Sequence, residues 1–192
     1  MSAMIQSEHI VIEYCDNYQK QSLRNRTYIT HAQGLLPLIV PIKHLDSGHR
    51  QKTNEVQSEH AFGWAANHWK SIQTAYRTAP FFEYYEDDLA EFFTSDSINL
   101  QQHNLKIIDR LMSLIGLDFN YTLTEQYKNP INGVDWRGYS DKKHNKSINF
   151  PRYTQVFEDK HGFIPNCSFL DALFNLGPQT VPYLKNLPLA EI

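Results

Sequence analysis

Ile98, Leu105, Ile108, Met112 and Ile115 recur at the 3.6-residue period of an α-helix. A segment with that period carries one apolar face, and a face of this kind is stable only against other apolar surface. The spacing therefore predicts a helix over 98–115 and a packed core beneath it. Asp96 or Ser97 is placed to cap its start, and Gly116 to end it. The 192 residues suit one domain and can bury roughly 70% of the unfolded surface without staples. Hydrophobic residues at 41% and charged residues at 20% match an ordinary globular balance. The 11 Tyr and 11 Phe favour a packed core with an aromatic-lined cleft.

Other segments follow the same logic. The run Ile-Val-Ile-Glu-Tyr over 10–14 is β-branched and predicts a short strand buried on both faces. Apolar runs over 27–30 and 35–42 flank a His-Ala-Gln-Gly connection, the pattern of a β-hairpin. Pro37 and Pro41 confine the second run to a sheet edge or an irregular exit. Residues 44–59 are polar without periodicity and read as a surface loop. Trp69, Ile72 and Tyr76 share one face of a helix over 64–77, and Pro80 separates it from a shorter helix over 81–93. A weak strand is expected over 119–124, and a long irregular loop over 128–152. Ser168 and Asp171 have the spacing of a capping box, and Gly177-Pro178 stops the helix they begin. The expected class is α/β, one domain over 1–192, with a small, mostly central sheet, a β-hairpin and a helical middle region.

The bulk numbers also narrow function. A net charge of −3 offers no global basic field to gather nucleic acid or an anionic membrane. Cys15 and Cys167 form no CxxC pair, so zinc-ribbon and thioredoxin-like motifs are excluded. GxGxxG, P-loop, GxSxG and HExxH patterns are absent, and no local metal-ligand spacing stands out among the nine His. No leader or long apolar run appears, so the expectation is cytoplasmic residence without membrane insertion. The sequence names no cofactor and no oligomeric state.

Two polar blocks stand out, 17–26 and 153–178. The first directly follows the β-branched run, where α/β sheets line their ligand crevice. It supplies Gln19, Lys20, Gln21, Arg24, Asn25 and Arg26 and has no acid over 18–26. Arg forks and Lys ammonium groups suit phosphate or carboxylate, and Asn and Gln add directional contacts. The alternative is a solvated loop whose cations pair with surface acids. The second block mixes aromatics with Gln155, Glu158, Asp159 and His161. His161 is either a surface residue or an imidazole that carries a proton for a ligand. His68 shares a helix face with Ile72 and Ala75. It is either a core histidine held by one hydrogen bond or part of a cleft with Trp64 and Tyr76. Cys15 at a strand end reads as inert, and Cys167 beside a helix start is expected to have a lowered pKa.

Together these segments resemble a known family. The run Asn-Tyr-Gln-Lys-Gln-Ser-Leu-Arg-Asn-Arg, the hairpin ending Val40-Pro41, the Trp64, His68, Tyr76, Pro80-Phe81-Phe82 segment, and Tyr153-Thr-Gln through His161-Gly-Phe-Ile-Pro to Asp171-Ala-Leu-Phe-Asn-Leu-Gly-Pro178 look like the WbqC-like proteins of bacteria, in the pattern common in Bacteroidetes. The characteristic positions are Asn25, Arg26, His68, Tyr76, Gln155, Phe163, Pro165, Asp171, Asn175 and Gly177. Family members usually begin with a strand and a Pro-Tyr-Phe-Pro-type turn; this chain starts inside the helix that follows them.

The resemblance implies a setting in surface-polysaccharide or O-antigen synthesis, with acyl or aminoacyl transfer to an amino sugar as a suggested role. On that footing the expected function is a cytoplasmic transferase. Gln19, Lys20, Arg24, Asn25, Arg26, Tyr76 and Gln155 would bind an activated or amino sugar bearing phosphate or carboxylate. His68 or His161 would act as general base. The competing expectation is a non-catalytic module that recognises an anionic small molecule or a partner enzyme.

Overall fold

A computed structural model describes residues 1–43, 50–60, 62–93, 99–129, 133–140 and 149–189. Four short strands run Ile10–Ile12 (β1), Arg26–His31 (β2), Gly34–Ile39 (β3) and Tyr121–Leu123 (β4). The helices are Ser2–Ile5 (α1), Trp64–Tyr76 (α2), Phe82–Ala90 (α3), Leu100–Leu114 (α4), Glu158–His161 (α5), Phe169–Leu176 (α6) and Thr180–Lys185 (α7). Helices with small sheets give the α/β class that the patterning implies. The strands make two ribbons: β1 pairs with β4 in parallel, and β2 with β3 antiparallel.

The helix with the clearest period is α4. Its Leu105 and Met112 pack with Phe119, flanked by Ile108, Ile115, Ile10 and Ile12. Its Leu111, with Ile107 and Leu114, faces a second and larger cluster. The helix thus bridges two apolar groups, which its single stripe did not announce. Asn99 caps it by accepting the Gln102 N–H at 3.1 Å. The expected caps Asp96 and Ser97, and Ile98 with them, lie outside the described residues. Gly116 ends the helix with a φ of +73°.

The larger cluster holds α2, α3 and α6 against the hairpin. Tyr76, Phe82 and Phe174 are fully buried there, with ring centroids 5.0 Å apart for Tyr76–Phe174 and 5.1 Å for Phe82–Phe174. Ile29 of β2 is buried against them. β3 pairs only with β2, and Pro37 sits opposite Tyr28. The hairpin and its edge proline are as the sequence implies.

Two expectations need correction. β1 is not buried on both faces: Val11 is 65% exposed, while Ile10 and Ile12 turn toward α4. Burial on both faces needs a layer on each side, and only one is supplied here. Residues 50–59 are not a surface loop either. Thr53, Val56 and Ser58 are buried, and Thr53–Glu55 forms a turn of 3-10 helix. Backbone bonds stitch this strap to both sides of the hairpin's root. Tyr18 N donates to Gln51 O at 2.9 Å, Lys43 N to Gln57 O at 2.9 Å, and Glu59 N to Pro41 O at 2.8 Å. The polar composition reads as solvated, yet its polar atoms are consumed by neighbouring backbone. Residues 44–49 of that segment, and 130–132 and 141–148 of the long loop, lie outside the described residues.

Gly177 closes α6 where the chain passes under Phe81. Its φ is +52°, and a Cβ there would sit 2.5 Å from the Phe81 ring. Phe81 N also donates to Phe174 O at 3.0 Å, so the ring cannot easily withdraw. Gly177→Ala is expected to cost about 1–3 kcal/mol through strain and overpacking. Urea unfolding of the variant checks this; an unchanged midpoint would contradict the packing described.

Candidate functional site

The first polar block forms one wall of a pocket. A cavity of about 480 Å³ is lined by Tyr18, Lys20, Gln21, Asn25, Arg26, Pro41, Ile42, Lys43, Glu59 and Phe62. The volume lies in the range of small-molecule sites, roughly 300–1,000 Å³. Three of the lining side chains are cationic and one is acidic. The pocket exists because the strap at 50–59 holds residues 17–18 and 41–43 apart at the root of the hairpin.

Asn25 anchors the floor. Its backbone carbonyl accepts from Val40 N at 2.8 Å, and its Nδ2 donates to Val40 O at 2.9 Å. Asn25 is only 8% exposed, and its Oδ1 has no hydrogen-bond partner. The buried Nε of Arg26 is likewise unpartnered. Gln21 on the rim has a φ of 60°, a left-handed conformation unusual for a side chain of this kind. Burial raises the pKa of the Tyr18 phenol, partly offset by Arg26 and Arg24 nearby, so it faces the cavity as a neutral hydroxyl. Phe62 stands 71% exposed at the mouth.

The expected binding residues divide. Lys20, Asn25 and Arg26 line the pocket, and Gln19 is exposed outside its lining. Arg24 is drawn away: its guanidinium meets Asp16 at 2.6 Å, and Thr53 hydrogen-bonds the same carboxylate. That pairing is the solvated-loop alternative realised for one residue, with an acid just ahead of the block. Gln21 is among the block's polar residues but not in the expected binding set, and Tyr18 is not singled out. Lys43 and Phe62 carried no local signal, because only the strap brings them to the cavity.

Tyr76 and Gln155 serve a different centre, the carboxylate of Asp171. That side chain is fully buried. Its Oδ1 accepts from Thr30 Oγ1 at 2.7 Å and Tyr76 OH at 2.7 Å. Its Oδ2 accepts from Tyr153 OH at 2.6 Å and Gln155 Nε2 at 2.8 Å. Four donors fill the acceptor capacity of a carboxylate. Gln155 is further spent on Ile164, donating to its carbonyl at 2.9 Å and accepting its N–H at 2.8 Å. The capping-box reading of Asp171 is therefore corrected. Ser168 does cap α6, accepting from Leu170 N at 3.3 Å, but its own N–H donates to Tyr28 O at 2.6 Å. The acid turns inward to the buried hydroxyls, since the Ser168 amide is already committed to the Tyr28 carbonyl.

The two candidate bases lie apart. His68 is half-buried, its ring 5.2 Å from Trp64 and hydrogen-bonded to the Ile39 carbonyl. Burial lowers its pKa despite that bond, so the ring is neutral at pH 7. Ile39 is the cross-strand partner of Arg26, which places His68 beside the pocket without lining it. His161 bonds the Ala32 carbonyl at 2.9 Å, at the hairpin's turn. At about 3.3 Å per residue along β3, the two carbonyls are roughly 20 Å apart. The second block consequently forms no wall of this pocket. Cys167 is also corrected: burial, then the Asp171 charge, push its thiol up to about 12, opposite to the helix-terminus expectation. Cys15 Sγ donates to Thr124 O at 3.4 Å. Among the described residues, no three His, Cys, Asp or Glu side chains gather as a metal site, and no helix is long and apolar enough to cross a membrane.

Residues 1–137 match the model of the WbqC-like protein family. The chain belongs to this family. It is also similar to the uncharacterised protein Rv1507c of Mycobacterium tuberculosis, at 27% identity over 195 residues, covering 88% of this chain and 84% of that protein. No solved structure matches it significantly. The pocket lies within the part that matches the family, whereas Asp171 and its partners Tyr153 and Gln155 follow it.

Three outcomes are expected. Asp171→Ala leaves four donors without their acceptor and is expected to cost about 3–5 kcal/mol, read from denaturant unfolding. Tyr153→Phe removes one donor only and should cost about 1 kcal/mol. His68 and His103 both have pKa values lowered by burial, so the folded state binds fewer protons than the unfolded one below about pH 6.5. Stability is then complete above that pH and is lost as the pH falls through the window down to the lowered values. His103→Gln should flatten the loss measured as the pH falls below about 6.5.

Proposed function

We propose that this WbqC-like protein is a transferase of surface-polysaccharide synthesis, acting on an activated or amino sugar that bears phosphate or carboxylate. The reaction is acyl or aminoacyl transfer to the sugar amine. The amine forms the new bond to the acyl carbonyl, the donor's leaving group departs, and a base takes the amine's proton. The observation that carries this reading is the pocket beside 17–26. It sets Lys20, Arg26 and Lys43 around about 480 Å³ and holds a buried Arg26 Nε without a partner. Cations in a concave, partly desolvated site suit an anionic small molecule far better than open surface does.

His68 is the base this reading uses. It is half-buried beside the pocket, and burial keeps its ring neutral at pH 7, able to accept a proton. Its distance from the lining favours one second reading, a binding module that presents the same anion without turning it over. Tyr76 and Gln155 support the site indirectly, through the Asp171 centre that fixes the hairpin.

The test is thermal unfolding of the full chain with UDP-glucose. Ligand at 100 times its Kd should stabilise by about 2.7 kcal/mol. Lys20→Ala or Arg26→Ala should weaken binding about tenfold. Absence of stabilisation by UDP-glucose and by sugar phosphates alike would sink both readings. With binding established, His68→Ala should cut acyl transfer to glucosamine 1-phosphate about 10²-fold or more at unchanged Kd. Binding without any transfer by the unaltered chain would leave the binding module.

A further inference from the structure

Most buried polar side-chain atoms in a folded protein have hydrogen-bond partners, and an exception inside a cavity asks for an explanation. Asn25 is such an exception. Its side chain is not free to turn: Nδ2 donates to Val40 O at 2.9 Å while its own carbonyl takes Val40 N at 2.8 Å. A flip of the amide would set Oδ1 against the Val40 carbonyl oxygen, acceptor against acceptor, so the assignment is settled by the network. The orphan is therefore a buried acceptor, held still, on a residue that is 8% exposed and lines the cavity with the cations.

From this we infer that Asn25 determines the specificity of the pocket, by accepting a hydrogen bond from an O–H or N–H that the ligand carries beside its anionic group. The ligand class is then a hydroxylated or aminated anion, such as a sugar phosphate, and not an anion without a hydrogen-bond donor, such as a fully ionised phosphate monoester of a simple alcohol or a simple acyl anion. The inference rests on the reading of this pocket as an anion site and deepens it. The anion satisfies Lys20 and the buried Arg26 Nε, both donors. A fully ionised anion cannot satisfy Asn25 Oδ1, because two acceptors repel. Only a ligand with both kinds of group leaves nothing orphaned. Phe62 at the mouth adds an apolar face on which a sugar ring can rest. A site built around a ligand hydrogen bond discriminates against analogues lacking the donor, because the buried acceptor is again left unpaired.

The experiment is calorimetric titration of the full chain with glucose 1-phosphate and with methyl phosphate. At about pH 8.5, well above the second phosphate pKa of about 6, both carry a fully ionised phosphate monoester and only the first carries hydrogen-bond donors. The unaltered protein should bind glucose 1-phosphate at least about tenfold tighter. In Asn25→Ala that ratio should fall to about one. Equal binding of the two probes by the unaltered protein would overturn the inference while leaving the anion site standing. A ratio preserved in Asn25→Ala would overturn it too, by placing the selectivity elsewhere. If neither probe bound, the anion-site reading and this inference would fall together. Asn25 also holds Val40, so a variant that fails to fold must not decide the matter. Monofluoro-deoxy analogues of glucose 1-phosphate then serve on the unaltered protein. Fluorine keeps the size but cannot donate. One analogue should lose about tenfold in affinity, and equal affinity across the set would overturn the inference.

Discussion

One buried carboxylate ties the chain together. Asp171 sits at the start of α6 without solvent, and its four hydrogen bonds reach β2, α2 and the segment at 153–155. No cation stands among those four partners. A carboxylate taken from water is costly unless hydrogen bonds replace its hydration, and here hydroxyls and one amide supply the replacement. The donors answer in kind. Burial and the neighbouring charge raise the pKa values of Tyr76 and Tyr153 far above the usual phenol range, so both remain protons' donors at any ordinary pH. The hydroxyl of Tyr76 also accepts from Thr30 N at 3.3 Å, which extends the network into the hairpin backbone.

The consequence for function is indirect but physical. The hairpin that this centre clamps runs on to Asn25 and Val40, at the edge of the pocket. Asp171 fixes β2 at Thr30, and the strap at 50–59 holds the chain just beyond β3, at Pro41 and Lys43. A site that selects among small polar ligands must hold its donors and acceptors still, because a misplaced partner forfeits most of its hydrogen-bond energy. The polar residues thus split into those facing the cavity and those that make its frame rigid. Asn25 and Arg26, within the part that matches the family, face it; Tyr76 there, and Gln155 and Asp171 beyond that part, brace it.

Helix placement was legible because periodicity is local. The stripes on α2 and α4, the hairpin around Gly34 and the stop at Gly177 follow from side-chain spacing and backbone freedom within a few residues. Burial was less legible. Val11 and the strap both mislead, the first because apolar strands are not always covered, the second because polar residues can be spent on backbone instead of water. The pKa of Cys167 misleads for the same reason: a helix start lowers it, burial raises it, and only packing says which is larger.

By itself the sequence determined the α/β class, the helical faces, the hairpin and a cationic block placed after a short strand. These depend on spacing and on chemistry carried by each residue wherever it lands. Tertiary structure alone decided which polar residues share a cavity. It withdrew Arg24 to Asp16, turned Asp171 inward, separated His68 from His161 by the length of a strand, and brought Lys43 and Phe62 to Lys20 and Arg26. Those are contacts between residues distant in the chain, set by the competition of buried donors for acceptors, and no local pattern records the outcome of that competition.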